Sequence, residues 1–344
     1  MQGLKGLATG VGSLPHKDID SALDLIFKSV PQAPFWPQLP KRDMREGMVA
    51  QFSENLPGLK ITKEGLSFNP KDKEKELELF YERIIAQDTD YFRISSDFAS
   101  GLEKFYQRLE RSDLKNIEFI KLQVTGPFTF AASIKDENGA ALLHDPVFMQ
   151  AIIKGLSMKA LWQIKLFRKF GKKIILFFDE PSLGCFGSAY TPINREDVVK
   201  GLTEITEGIK SKDLLVGLHC CGNTDWSIFT DTTSIDIINF DAFGFLDKLS
   251  LYADNLKGFL QRGGILCWGI VPTQDFSGKE TAALLVKKIK EGIEVLSRKG
   301  LEKELILRNL IISPSCGLGT LDSQKAEQIF GLLQETSALI KNSS

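Results

Sequence analysis

Two short phrases hold residues able to bind a metal ion: His219-Cys220-Cys221-Gly222-Asn223-Thr224 and, far downstream, Ser313-Pro314-Ser315-Cys316-Gly317-Leu318. Each ends an apolar run with strand character. His219 and Cys221 are two positions apart, so on an extended strand both point to one face while Cys220 points to the other. An imidazole with two thiolates favours zinc. A thiolate-rich zinc site with an open position can take up an incoming thiol and hold it as a nucleophilic thiolate. Asp241, at the end of another apolar run, is the candidate fourth ligand. Taken alone, a buried cysteine is a small hydrophobe and a buried histidine a satisfied core residue. The combination points to metal, with Cys221 and Cys316 each followed by glycine.

Three further places hold polar groups near strand ends. Asp179-Glu180-Pro181 follows Ile174-Ile175-Leu176-Phe177-Phe178. A carboxylate there can bind a substrate ammonium or cap a helix that begins at Pro181, and position alone leaves both open. Val11-Gly12-Ser13 offers backbone N–H groups for a substrate carboxylate, or is an ordinary turn. Glu46 falls in an expected helix, Arg42–Asn55, within reach of the same end of the fold, although most helix glutamates are solvated. Trp36, Trp226 and Trp268 read as packing residues.

The elements that would position these groups are eight apolar runs: Leu7–Ser13, Phe35–Leu39, Phe119–Thr125, Ile174–Asp179, Leu215–Cys220, Ile235–Asp241, Ile265–Ile270 and Leu310–Ser315. Most are continuously apolar, as strands covered on both faces must be. Amphipathic stretches lie between them, including Asp18–Val30, Asp145–Phe170, Asn194–Lys210 and Gly278–Lys299. This alternation predicts an α/β fold, a (β/α)8 TIM barrel, with a doubly wound sheet as the alternative. Residues 59–116 do not fit one βα unit and read as an insertion between the second and third strands of a single domain, 1–344. In a barrel, Ser13, Thr125, Asp179, His219, Cys221, Asp241 and Cys316 converge at the C-terminal ends of the strands, where barrel active sites form.

Bulk properties narrow the function. The 344 residues carry 43 basic and 44 acidic side chains, a net charge of −1, which gives no electrostatic reason to bind nucleic acid or an anionic membrane. No apolar run reaches membrane-spanning length. The start, Met1-Gln2-Gly3-Leu4-Lys5, lacks a signal-peptide pattern, so a cytoplasmic location is expected. Five cysteines make no disulfide framework, and three histidines (His16, His144, His219) exclude a His-rich metal site.

Five motifs in order, Val11-Gly12-Ser13, Thr125-Gly126-Pro127, Asp179-Glu180-Pro181, His219-x-Cys221 and Cys316-Gly317-Leu318, span nearly the whole chain. With them the chain resembles the catalytic barrel of cobalamin-independent methionine synthase. More broadly it is similar to the superfamily shared with uroporphyrinogen decarboxylase and the zinc-dependent methylcobalamin:coenzyme M methyltransferases. The resemblance implies that His219, Cys221 and Cys316 bind Zn2+. It implies that Asp179 holds the amino group of homocysteine, Val11–Ser13 its carboxylate, and Glu46 is a second carboxylate on the same amine. Two features depart from the synthases. Asp241 stands nearest the position of a ligating glutamate, one methylene shorter, and Trp268-Gly269-Ile270-Val271-Pro272-Thr273 lacks the proton-donating histidine. A second, folate-binding barrel has no counterpart in this length. Demethylating a folate amine needs an acid, whereas a methylated cobalt corrinoid has a good leaving group. The expected donor is therefore a methylcorrinoid on a partner protein. Another thiol acceptor such as coenzyme M, a non-catalytic binding protein and a decarboxylase-like member of the superfamily are the alternatives.

Overall fold

The computed structural model describes residues 4–63, 65–69, 71, 73–188 and 193–342; residues 1–3 of the N-terminus read above lie outside them. The strands are β1 (Leu7–Ala8), β2 (Leu59–Thr62), β3 (Gly65–Phe68), β4 (Phe119–Thr125), β5 (Lys173–Asp179), β6 (Leu214–Cys220), β7 (Ile237–Phe240), β8 (Ile265–Val271) and β9 (Leu310–Pro314). The helices are α1 (Ile19–Ser29), α2 (Lys73–Ile85), α3 (Ser100–Arg111), α4 (Pro127–Ala132), α5 (Pro146–Phe167) and α6 (Arg195–Glu207). They continue as α7 (Ser227–Asp231), α8 (Ala242–Leu249), α9 (Ala253–Gln261), α10 (Ala282–Arg298), α11 (Lys303–Arg308) and α12 (Ser323–Asn342). Helix starts follow local chemistry: Asp18 accepts from Ser21 N at 2.8 Å to cap α1, and Asp145 caps α5 just before Pro146. Among the described residues, no helix is long and apolar enough to cross a membrane.

Seven strands pair in parallel in the order β1-β9-β8-β7-β6-β5-β4. The segment around Phe35–Gln38 fills the remaining gap through two isolated parallel bridges, Ser13 to Gln38 and Phe35 to Lys121. The fold is a TIM-like barrel. The expected second strand thus forms without a regular ladder, because Pro34 and Pro37 have no N–H to donate. The first strand is regular only at Leu7–Ala8, although Thr9 N still reaches Ile312 O at 3.1 Å.

Alternation along each strand divides two cores. Ile120, Leu122, Val124, Leu176, Phe178, Val216 and Leu218 join the core between barrel and helices. Leu7, Phe119, Ile175, Phe177, Leu215, Ile237, Ile265, Cys267 and Ile311 fill the barrel interior. The inner face turns polar toward the C-terminal ends: Phe119 leads to Lys121, Gln123 and Thr125, Phe177 to Asp179, Leu215 to His219, and Ile237 to Asn239. Helices cover the outside. Trp36, Trp226 and Trp268 are fully buried.

Two expectations for residues 42–116 change. The helix expected over Arg42–Asn55 is instead two 3-10 turns, Met44–Glu46 and Ala50–Phe52, separated by Gly47 in extended conformation. The insertion contains an unexpected antiparallel hairpin, β2 with β3, before α2 and α3. α3 docks closely on the proline-rich second-strand segment: a Cβ built on Gly101 would lie 2.1 Å from the Pro37 carbonyl oxygen. Gly101→Ala should therefore force backbone apart and lose about 1–3 kcal/mol, seen as a lower urea midpoint with unchanged slope.

Candidate metal and substrate site

β6 carries His219 as its penultimate residue and delivers Cys221 one step beyond its end, while the turn after β9 delivers Cys316. One ligand atom from each of the three lies within 4.8 Å of the others, the one such His/Cys/Asp/Glu group among the described residues. Cys220 faces away into the outer core.

The imidazole is held from behind. Asn239, paired with His219 in the β6–β7 register, places Oδ1 2.6 Å from His219 Nδ1. Its amide nitrogen donates to Cys267 O at 2.9 Å and Ser313 Oγ at 3.0 Å. The Asn239 oxygen must therefore accept, and Nδ1 carries the proton. Nε2 is buried with no hydrogen-bond partner. Burial opposes charge on His219, but the adjacent Cys316 sulfur and Asp179 outweigh it and raise its pKa. The two thiols share a proton unequally. The neighbouring Cys221 thiol, then the His219 ring, pull Cys316 down, and the Cys221–Cys316 contact pushes Cys221 up. A buried, unpartnered imidazole nitrogen beside two sulfurs, one of them readily ionised, fits zinc.

A cavity of about 310 Å³ opens over this group, lined among others by Val11, Ser13, Gln38, Met48, Asp179, Gln274 and Thr320. Asp179 Oδ1 is buried there without a hydrogen-bond partner. Burial raises the Asp179 carboxyl to about 6, against the pull of Lys121 and His219. A larger cavity, about 620 Å³, lies on the outer surface beside α5 and holds no metal-type cluster.

The neighbouring carboxylate has a different task. Glu180 accepts from Phe128 N (2.9 Å), Thr129 N (2.7 Å) and Thr129 Oγ1 (2.7 Å), so it caps α4. Burial raises Glu180 to about 7, opposed by these same bonds. The expected cap on a helix beginning at Pro181 is not made: the Pro181–Cys185 turn has no side-chain cap bond, Glu180 serves α4 instead, and Asp179 Oδ1 is left without a partner.

Val11 and Ser13 line the cavity, and the N–H groups of Val11, Gly12 and Ser13 make no hydrogen bond within the described fold. The Ser13 hydroxyl accepts from Gly319 N at 3.2 Å and would lie 2.2 Å from a Cβ at position 317, so the turn after Cys316 needs glycine there. Glu46 is fully buried and absent from the cavity lining; Arg42 Nε sits 3.0 Å from its Oε1. Asp241 stays outside the three-ligand group and caps α8 through Gly244 N at 2.8 Å. Sequence reasoning missed Asn239, whose signal was one amide in the apolar run Ile237-Ile238-Asn239-Phe240, and the lining residues Gln38, Met48, Gln274 and Thr320.

No family model and no curated protein matches the chain. Among solved structures it is similar to a B12-independent methionine synthase from Shewanella sp. W3-18-1 in complex with selenomethionine. The two share 14% identity and a TM-score of 0.59 over 98% of each chain. At that identity the likeness establishes the fold.

Glu180→Ala would strand two buried N–H groups at the start of α4 at about 1–3 kcal/mol each. Urea unfolding should show a loss of at least about 2 kcal/mol; a change below about 0.5 kcal/mol would remove the capping role.

Proposed function

We propose that the chain is a zinc-dependent methyltransferase that moves a methyl group to the thiol of homocysteine, giving methionine, with a methylcorrinoid on a partner protein as donor. One observation carries the reading: the unpartnered Nε2 of His219 faces Cys221 and Cys316 beneath a cavity that also holds the unpartnered Asp179 carboxylate. The barrel shared with a methionine synthase supports it as analogy of fold. Zinc held by His219, Cys221 and Cys316 would keep a substrate thiol ionised at neutral pH.

This chain's own residues then orient the substrate. Asp179 takes the ammonium through a charge-assisted hydrogen bond. The free N–H groups of Val11–Ser13 take the carboxylate. With both ends fixed, the sulfur is held in line for attack on the incoming methyl group. Asp241 caps α8, and Glu46 lies beside Arg42 outside the cavity lining with neither oxygen hydrogen-bonded, so the fourth position and the amine are left to other groups.

Two features favour this acceptor and donor over the alternatives. No lysine or arginine lines the cavity. A thiol bearing a sulfonate, as coenzyme M does, would face Asp179 without a counter-charge. His219 is the one histidine in the lining, and its Nε2 is directed at the sulfurs. No imidazole remains to protonate a folate amine, whereas a methyl–cobalt bond needs no such acid. A cavity of about 310 Å³ suits a small thiol amino acid, so the macrocycle would stay at the mouth.

Anaerobically purified protein should contain about one zinc per chain and transfer methyl from methylcobalamin to homocysteine; Cys316→Ala should lose both metal and activity. A wild type that binds no zinc after reconstitution, or works efficiently with methyltetrahydrofolate alone, overturns the metal or the donor assignment respectively. Asp179→Asn should retain zinc while raising the KM for homocysteine about 10- to 100-fold. An unchanged KM would remove Asp179 from the amine site.

A further inference from the structure

Lys121 projects from β4 into the barrel interior and is fully buried. Its ammonium donates to the Val11 carbonyl and to Gln123 Oε1, the latter at 3.0 Å, with the Phe177 ring 5.1 Å away. None of these partners is an anion. Burial lowers the Lys121 pKa only to about 8, so the group is a cation at neutral pH, and Asp179 is the acid whose field it feels most.

The Val11 carbonyl belongs to the same peptide plane as the Gly12 N–H. Among the described residues no peptide bond is cis, so that N–H points opposite to the carbonyl, away from Lys121. It makes no hydrogen bond in the fold, and Val11 and Ser13 on either side line the cavity. A cation on the carbonyl polarises the plane and strengthens the N–H as a donor.

We propose that Lys121 is a positioning residue that, through the Val11–Gly12 peptide, prepares Gly12 N–H for the α-carboxylate of the substrate, so that Lys121 and Asp179 together match a zwitterion. The inference rests on the proposed amino-acid thiol substrate and deepens it. The site selects α-amino acids and rejects the corresponding amines, although no cationic side chain touches the carboxylate.

The test compares L-methionine with 3-(methylthio)propylamine, its decarboxylated analogue, by calorimetry on wild type and Lys121→Met. Wild type should favour methionine by about tenfold or more. Lys121→Met should compress that preference to within about threefold while amine affinity stays nearly constant. A purely structural role would weaken both ligands alike. Lys121→Gln retains a donor to the Val11 carbonyl without the charge, and it should show the same compression even if the methionine variant fails to fold. A folded variant that keeps the full preference overturns the role of Lys121. A wild type that binds both ligands equally overturns the carboxylate site. One that binds neither ligand overturns the methionine-forming reading itself.

Discussion

The Asn239 amide is a constraint on which the candidate site depends. Its three bonds reach His219 on β6, Cys267 on β8 and Ser313 on β9. One side chain thus fixes the imidazole's protonation and ring plane while bracing the strands that bring in Cys316. A one-residue slip of β7 would turn Asn239 outward and place Ile238 or Phe240 behind the imidazole. Strand register and the geometry of the candidate metal site are therefore one problem in this barrel. The apolar packing of β7 against its helices keeps the slip from occurring.

The same inner face carries a gradient. At the N-terminal ends, Phe119, Leu215, Ile265 and Ile311 close the barrel as an apolar plug. Further along come Lys121, Gln123 and Asn239, all fully or nearly fully buried and hydrogen-bonded to carbonyls or one another. At the top, Asp179 and His219 keep atoms without partners. Unsatisfied buried groups are costly, and these two face the cavity, where a ligand can satisfy them. The outer core is largely apolar, and polar side chains within it, such as Gln163 and Thr206, are hydrogen-bonded.

Much of this was legible in the sequence. The apolar runs marked seven strands because parallel strands buried on both faces leave no alternation to misread. The convergence of His219, Cys221 and Cys316 followed from strand ends and parity. Less legible was anything decided by backbone hydrogen-bond supply. Phe35–Leu39 looks like a strand by composition but cannot ladder through Pro34 and Pro37. Arg42–Asn55 has helical content but bends at Gly47. The hairpin of Leu59–Phe68 is short and half exposed, so its pattern is faint. Asp179 and Glu180 could not be told apart because their tasks depend on α4, an element that arrives from a distant part of the chain. Asp241 and Glu46 sit near the right end of the fold but each meets a closer partner, Gly244 N and Arg42, which spacing alone does not reveal.

The lacing of the first and last strands has a further consequence. Leu318 N bonds Ser13 O at 2.9 Å, Gly319 N bonds Ser13 Oγ at 3.2 Å, and β1 pairs only β9 and the proline segment. During synthesis the growing chain can build β4 to β8 in order, each strand on its predecessor. The barrel cannot close until β9 leaves the ribosome, because the seam joins residues 306 positions apart. Cys316 arrives in that same final stretch. A half-made chain thus exposes a sheet edge and holds two of the three candidate ligands, so the His219, Cys221 and Cys316 group is complete only at closure.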